Sequence, residues 1–251
     1  MTVTSALQFP ISEAPAMGQP LEVAEGVYWL RMPLPFALNH INLWLLEDDI
    51  GWTIVDTGIN TSACKELWQQ VFDKHLNNKP VHQLIVTHLH PDHVGLAGWI
   101  CEVWGLELQM SRTDYMACRV LVSDTGKPAP KAAIDFYRRA GVSNEQLEFY
   151  KAKFGGYGKS IYAMPDSFIR LQDSESVTMA GYQWEIIVGR GHAPEHVCLL
   201  CPELNVFIAG DQLLPSISSN VSVWPTEPHS NPLEDWLDSC AMLQQRIPAD
   251  V

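Results

Sequence analysis

Apolar and polar positions change rhythm several times along the chain, and the changes mark out its elements. VYWLRM (27–32), INLWLLE (41–47) and GWTIVDTG (51–58) are short apolar runs parted by turn formers such as Glu47-Asp48-Asp49. They predict consecutive strands of an antiparallel sheet. Over 61–76 (TSACKELWQQVFDKHL) the apolar residues at 64, 67, 68, 71, 72 and 76 take up helical spacing behind a Thr-Ser cap. VHQLIVTH (81–88) returns to a strand, apolar enough to be covered on both faces. Helical spacing resumes over 94–104, and ELQMS (107–111) predicts a further short strand.

Residues 112–170 read differently. Helical pattern covers 115–122, 132–140 and 144–154, then Gly155-Gly156-Tyr157-Gly158 interrupts, and no strand signal appears. So modest an apolar content makes a poor independent core, which predicts a helical insertion within a single domain spanning 1–251. Strands return at 176–181, 183–189, 197–201 and 206–211, the last two joined as a hairpin by Pro202-Glu203-Leu204-Asn205. Residues 233–247 repeat apolar positions at helical spacing, and residues 1–20, rich in Pro, Ser and Ala, form an irregular lead-in.

A chain of 251 residues can bury a sizeable core without disulfides. No uninterrupted apolar stretch reaches the roughly 18 residues of a membrane span. The N-terminus has neither the basic opening nor the apolar block of a signal peptide, so a cytoplasmic protein is expected. The net charge of −13, from 16 Lys+Arg against 29 Asp+Glu, repels phosphate backbones. A small-molecule substrate is therefore expected, without nucleic-acid or membrane partners. Six cysteines are scattered, and only Cys198 and Cys201 form a C-x-x-C; on a strand, positions three apart face opposite ways, so both read as buried thiols.

The chemistry concentrates in Thr87-His88-Leu89-His90-Pro91-Asp92-His93, at the end of the strand LIVTH. Three imidazoles and a carboxylate so close together are good ligands for borderline metals. His88 and His90 share a side of the extended segment, and Pro91 turns the chain so that Asp92 and His93 face a second point nearby. One ion cannot easily take all four; two adjacent ions can. Gly191-His192-Ala193-Pro194-Glu195-His196 and Gly210-Asp211 bring further candidates to later strand ends.

The order I-V-D-T-G (54–58), T-H-L-H-P-D-H (87–93), G-H-A-P-E-H (191–196) and A-G-D (209–211) resembles the metallo-β-lactamase superfamily over roughly residues 22–230. The resemblance implies an α+β fold, a four-layer αββα sandwich of two mixed sheets with helices outside. It implies that His88, His90 and His192 hold a first metal, that Asp92 and His93 serve a second, and that Asp211 bridges both. Asp56 corresponds to a carboxylate that orients the ligand loop, and His196 to an outer histidine behind the ligands. Two divalent ions are expected, zinc by default for His and carboxylate without thiolate, with iron or manganese as alternatives.

Relatives complete the second metal with a histidine in a loop after a late strand. Here Ile247-Pro248-Ala249-Asp250-Val251 follows the last helix, so either the C-terminal end is incomplete, the reading an unprotected sheet edge favours, or the second site is weakened. The expected reaction is attack of a metal-bound hydroxide on an ester, thioester or lactone, with Asp92 able to protonate the leaving group. The alternatives are a mono-iron sulfur dioxygenase, an RNA phosphodiesterase, a non-catalytic scaffold and an exported β-lactamase. Tyr115, Phe136, Tyr137, Tyr150, Tyr157 and Tyr162 of the insertion are candidates for an acyl-binding wall or for packing onto the sandwich.

Overall fold

In a computed structural model, which describes residues 7–249 and Val251, the chain forms two sheets packed face to face. The first sheet holds β1 (Leu21–Ala24), β2 (Val27–Pro33), β3 (His40–Glu47) and β4 (Trp52–Val55) as an antiparallel run. Helix α1 (Ser62–Lys74) crosses over to β5 (Val81–Ile85), which pairs parallel with β4. Helices α2 (Pro91–Val94) and α3 (Ala97–Trp104) lead to β6 (Leu108–Met110), also parallel. Then come α4 (Arg112–Ser123), α5 (Lys131–Arg139), α6 (Asn144–Lys153) and a 3-10 turn at Tyr157–Ser160. β7 (Phe168–Arg170) closes the sheet in the order β1-β2-β3-β4-β5-β6-β7. The second sheet is antiparallel, ordered β11-β10-β9-β8, from β8 (Ser176–Met179), β9 (Tyr182–Gly189), β10 (His196–Cys201) and β11 (Val206–Ile208). Helix α7 (Pro232–Arg246) follows.

Three apolar clusters define four layers. Leu30, Leu43, Trp52 and Ile54 of the first sheet bury against Trp68 and Val71 of α1 and Ile100 of α3. Val27, Leu46, Val55 and Ile85 from its other face meet Trp184, Ile186, Val197, Leu199 and Ile208 between the sheets. Ile187, Cys198 and Leu200 turn outward beneath Leu243 of α7. The alternation along β10 is strict, with 197, 199 and 201 inward and 198 and 200 outward, as the pleat dictates. Cys198 and Cys201 thus lie on opposite faces, both buried and free.

Three elements differ locally from what the sequence pattern predicts. β7 lies inside the stretch read as free of strands; three residues parallel to β6 are too short to carry a periodic signal. The helix expected over 94–104 is two helices, broken at Gly95-Leu96, with the first beginning at Pro91. A short strand, β1, precedes the first predicted one.

Within 112–170, α4 packs Tyr115 and Cys118 into the main core, while α5 and α6 lean on one another through Tyr137 and Tyr150, whose rings are 4.6 Å apart. Tyr115 stacks on Phe168, Tyr157 donates to Leu89 O, and Tyr162 donates to Glu102. Tyr157 and Tyr162 thus tie residues 112–170 to the chain before them, and Tyr115 joins α4 to β7. No helix among the described residues is long and apolar enough to cross a membrane.

Candidate metal centre

Strands β4, β5 and β6 run parallel and end at one edge of the sandwich, and the polar residues gather there. Past β5, Val86 N still donates to Gln109 O, and the chain leaves the sheet at Thr87. His88 and His90 follow, and Pro91 at the first position of α2 turns Asp92 and His93 back, a place where proline loses no helical hydrogen bond. Val197 N of β10 donates to Thr87 O at 2.8 Å, which pins the second sheet to this loop.

Two groups of side chains converge. His88, His90, His192 and Asp211 present ligand atoms all within 4.8 Å of one another, and so do Asp92, His93 and Asp211. All six residues expected to bind metal are therefore brought together, with Asp211 in both groups. Facing atoms are His88 Nε2 to His90 Nδ1 at 3.0 Å, His88 Nε2 to His192 Nε2 at 3.2 Å, and His192 Nε2 to Asp211 Oδ2 at 3.5 Å. In the second group His93 Nε2 lies 3.4 Å from Asp211 Oδ2 and 3.9 Å from Asp92 Oδ2.

Hydrogen bonds fix which nitrogens point inward. Asp56 Oδ1 accepts from Thr87 N, and its Oδ2 accepts from Thr87 Oγ1 and His93 Nδ1, each at 2.8 Å. Thr87 Oγ1, its proton given to Asp56, accepts from His88 Nδ1 at 3.0 Å. His192 Nδ1 donates to Asn220 O at 3.0 Å. His88 and His192 thus turn bare Nε2 lone pairs towards one another, and two lone pairs at 3.2 Å repel unless a cation lies between them. His93 Nε2, buried, makes no hydrogen bond in the described structure. A tetrahedron of bonds about 2.0–2.1 Å long has edges of about 3.3 Å, close to these separations. The donor set fits a divalent metal.

Electrostatics agree. Burial, helped by the neighbouring imidazoles, holds His88 well below its ordinary value and lowers His90 to about 3, so both are neutral donors at neutral pH. Burial also lowers His192. His93 goes the other way: burial opposes its charge, but Asp56 and Asp211 outweigh it and raise the imidazole well above the ordinary range. Burial works against ionised Asp211 too, yet His93 and His192 hold its carboxyl below the carboxylate range. The site thus already stabilises one positive charge beside Asp211.

His196 packs behind the converging side chains. Its ring stacks on His88, centroids 4.6 Å apart, and its Nε2 accepts from Asp211 N at 3.1 Å. Gly210, at φ +51°, passes so close that a Cβ there would sit 2.7 Å from His196 Nε2. Gly210→Ala is expected to cost roughly 1–3 kcal/mol of stability and to displace Asp211, seen as a lower melting temperature together with weaker metal retention. Asp56 takes φ +64°, a conformation that costs Asp less than most residues.

Two residues that the sequence pattern does not mark as supports, Thr57 and Asn220, also brace the site. Thr57 Oγ1 donates to His93 O at 2.6 Å and accepts from Leu96 N at 3.0 Å, and Asn220 orients His192. Thr57 stood inside a recognised motif; Asn220 lies in an irregular loop with no pattern to mark it. His229, exposed, belongs to neither group, and no further histidine among the described residues joins Asp92 and His93.

The sequence profile described as the metallo-beta-lactamase superfamily matches residues 38–249. "Probable metallo-hydrolase YqjP" of Bacillus subtilis (strain 168) is 25% identical over 240 residues, which cover 90% of this chain and 70% of that protein. Among solved structures, a β-lactamase domain protein from Burkholderia ambifaria is 41% identical with a TM-score of 0.84, over 93% of this chain and 67% of the other. A metallo-β-lactamase family protein from Thermus thermophilus, TTHA1429, is 27% identical with a TM-score of 0.73, over 87% and 69%.

Proposed function

Since the chain belongs to the metallo-β-lactamase superfamily, we propose that it is a metal-dependent hydrolase of ester, thioester or lactone bonds, with two divalent ions, zinc by preference. The observation that carries this reading is the pair of imidazole lone pairs facing each other at 3.2 Å beside the orphaned His93 Nε2. His88, His90, His192 and Asp211 would hold one ion, and Asp92, His93 and Asp211 the other. A divalent ion held there supplies Lewis acidity, polarising an electrophilic carbonyl and bringing the pKa of a coordinated water to about 7.

The chain's own residues do the rest. The Asp92 and Asp211 side chains are 24% and 23% exposed, whereas His93 is 1% exposed, so substrate enters from the carboxylate side. Asp92 Oδ2, at that mouth, is placed to pass a proton to the leaving group. Asp56 holds Thr87 and His93, so that neither His88 nor His93 turns away as charge builds. The acidic surface disfavours polyanions, which supports a neutral acyl substrate over RNA.

Metal analysis of the purified protein, with thioesters, lactones and phosphodiesters assayed with and without chelator, tests this. We expect bound zinc, turnover of an acyl substrate, its loss in chelator and its return on adding zinc. Turnover that survives complete metal removal contradicts the proposal, and so does a single iron per chain coupled to oxygen consumption.

A further inference from the structure

Asp114, the third residue of α4, lies at a position where an acidic side chain ordinarily stays in solvent near the helix N-terminus. Here it is fully buried. Its Oδ1 accepts from Leu89 N at 2.9 Å, and its Oδ2 accepts from Glu195 N at 2.7 Å. Glu195 replies: its Oε2 accepts from Thr113 N, one of the free amides of the first turn of α4, at 2.8 Å. Leu89 stands between His88 and His90, and Glu195 stands between His192 and His196. One carboxylate therefore ties together the loop leaving β5 in the first sheet and the loop joining β9 to β10 in the second.

Burial is unfavourable for this group, pushing its carboxyl up to about 7 against the pull of the two amides. A buried carboxylate costs stability wherever it has no compensating role, and neither group of converging ligands includes Asp114. Its hydrogen bonds go to two backbone amides outside the sheet ladders, and without it the buried Leu89 amide would lack an acceptor and the half-buried Glu195 amide would lose one. Leu89 O is held as well, by the Tyr157 hydroxyl from the 3-10 turn. The ligand loop is thus gripped on both its amide and its carbonyl.

We propose that Asp114 is a positioning residue for the metal centre, a buried clamp that sets the spacing between the His88–His90 loop and the His192 loop. The inference rests on the metal reading above and adds a residue outside both groups of converging side chains. It also gives α4 a task, since this helix brings to the site a carboxylate that no strand end supplies.

The test is the apparent Zn2+ Kd of the full chain, measured by competition with a chromophoric chelator, for the wild type, Asp114→Ala, Asp114→Asn and a control, Leu200→Ala. Leu200 lies under α7, away from both loops, and its truncation lowers stability without touching them. We expect Asp114→Ala to raise the Kd about 10–100-fold, the range for lost support of metal ligands. Asp114→Asn, which keeps one acceptor, should fall between it and the wild type, and Leu200→Ala should keep the wild-type Kd despite a lower melting temperature. An unchanged Kd in both Asp114 variants overturns the clamp alone, as does an equal rise in Leu200→Ala, which would mark a general stability effect. A wild type that binds no zinc overturns the metal reading and the clamp with it.

Discussion

His90→Ala is expected to abolish metal-dependent hydrolysis, lowering kcat/KM by at least about 10³-fold, while the chain stays folded. Metal catalysis of this kind supplies several kcal/mol, and each 1.36 kcal/mol is about tenfold in rate. His90 stands at the rim of the first group, less buried than His88, with its Nδ1 turned towards His88 Nε2. Its removal takes one of four donors and leaves the sandwich layers intact. Circular dichroism of the metal-free variant should match the wild type, and metal content after dialysis should drop. Full turnover in the variant would remove His90 from the ligand set.

The second large effect belongs to Asp56→Ala. That change leaves Thr87 N, Thr87 Oγ1 and His93 Nδ1 without their acceptor, all at a buried position. In the metal-free chain it also strands His93, whose imidazole Asp56 helps to hold well above its ordinary range, as a buried cation with less compensation. Removing one partner of a buried charged pair costs roughly 3–5 kcal/mol, and alanine adds strain at φ +64°. For a chain of this size that is a fall in melting temperature of roughly 6–20 °C. Asp56→Asn tolerates the backbone and keeps one acceptor, so it should lose markedly less stability while still weakening metal binding. If alanine and asparagine melt together, the hydrogen-bonding account of Asp56 is wrong.

The main strands could be read because each is a compact apolar run with a turn former beside it, and β10, buried on both faces, was the plainest. β7 was hidden because three residues among helices carry no period. The convergence of the six candidate residues could be read for a different reason: histidine and aspartate at strand ends are costly where they serve only packing, and four such stretches recur in a fixed order. Asp114 could not be read. An aspartate in the first turn of a helix is the commonest of sights, and its sequence neighbours say nothing of Leu89 or Glu195. Asn220 was equally silent, because it acts through a backbone carbonyl that any residue could offer. Side chains that act on their own chemistry leave a mark in sequence; those that act by bracing other segments show only in three dimensions.

His88–His93 leave the first sheet, whereas His192 and Asp211 follow strands of the second, so the centre lies across the seam between the two. An ion held there is a rivet through both plates. A half-assembled chain offers it only part of its grip, so tight capture can come only after the plates have met. Free ion then favours the finished molecule over every partly joined one by mass action, and scarcity withdraws that advantage.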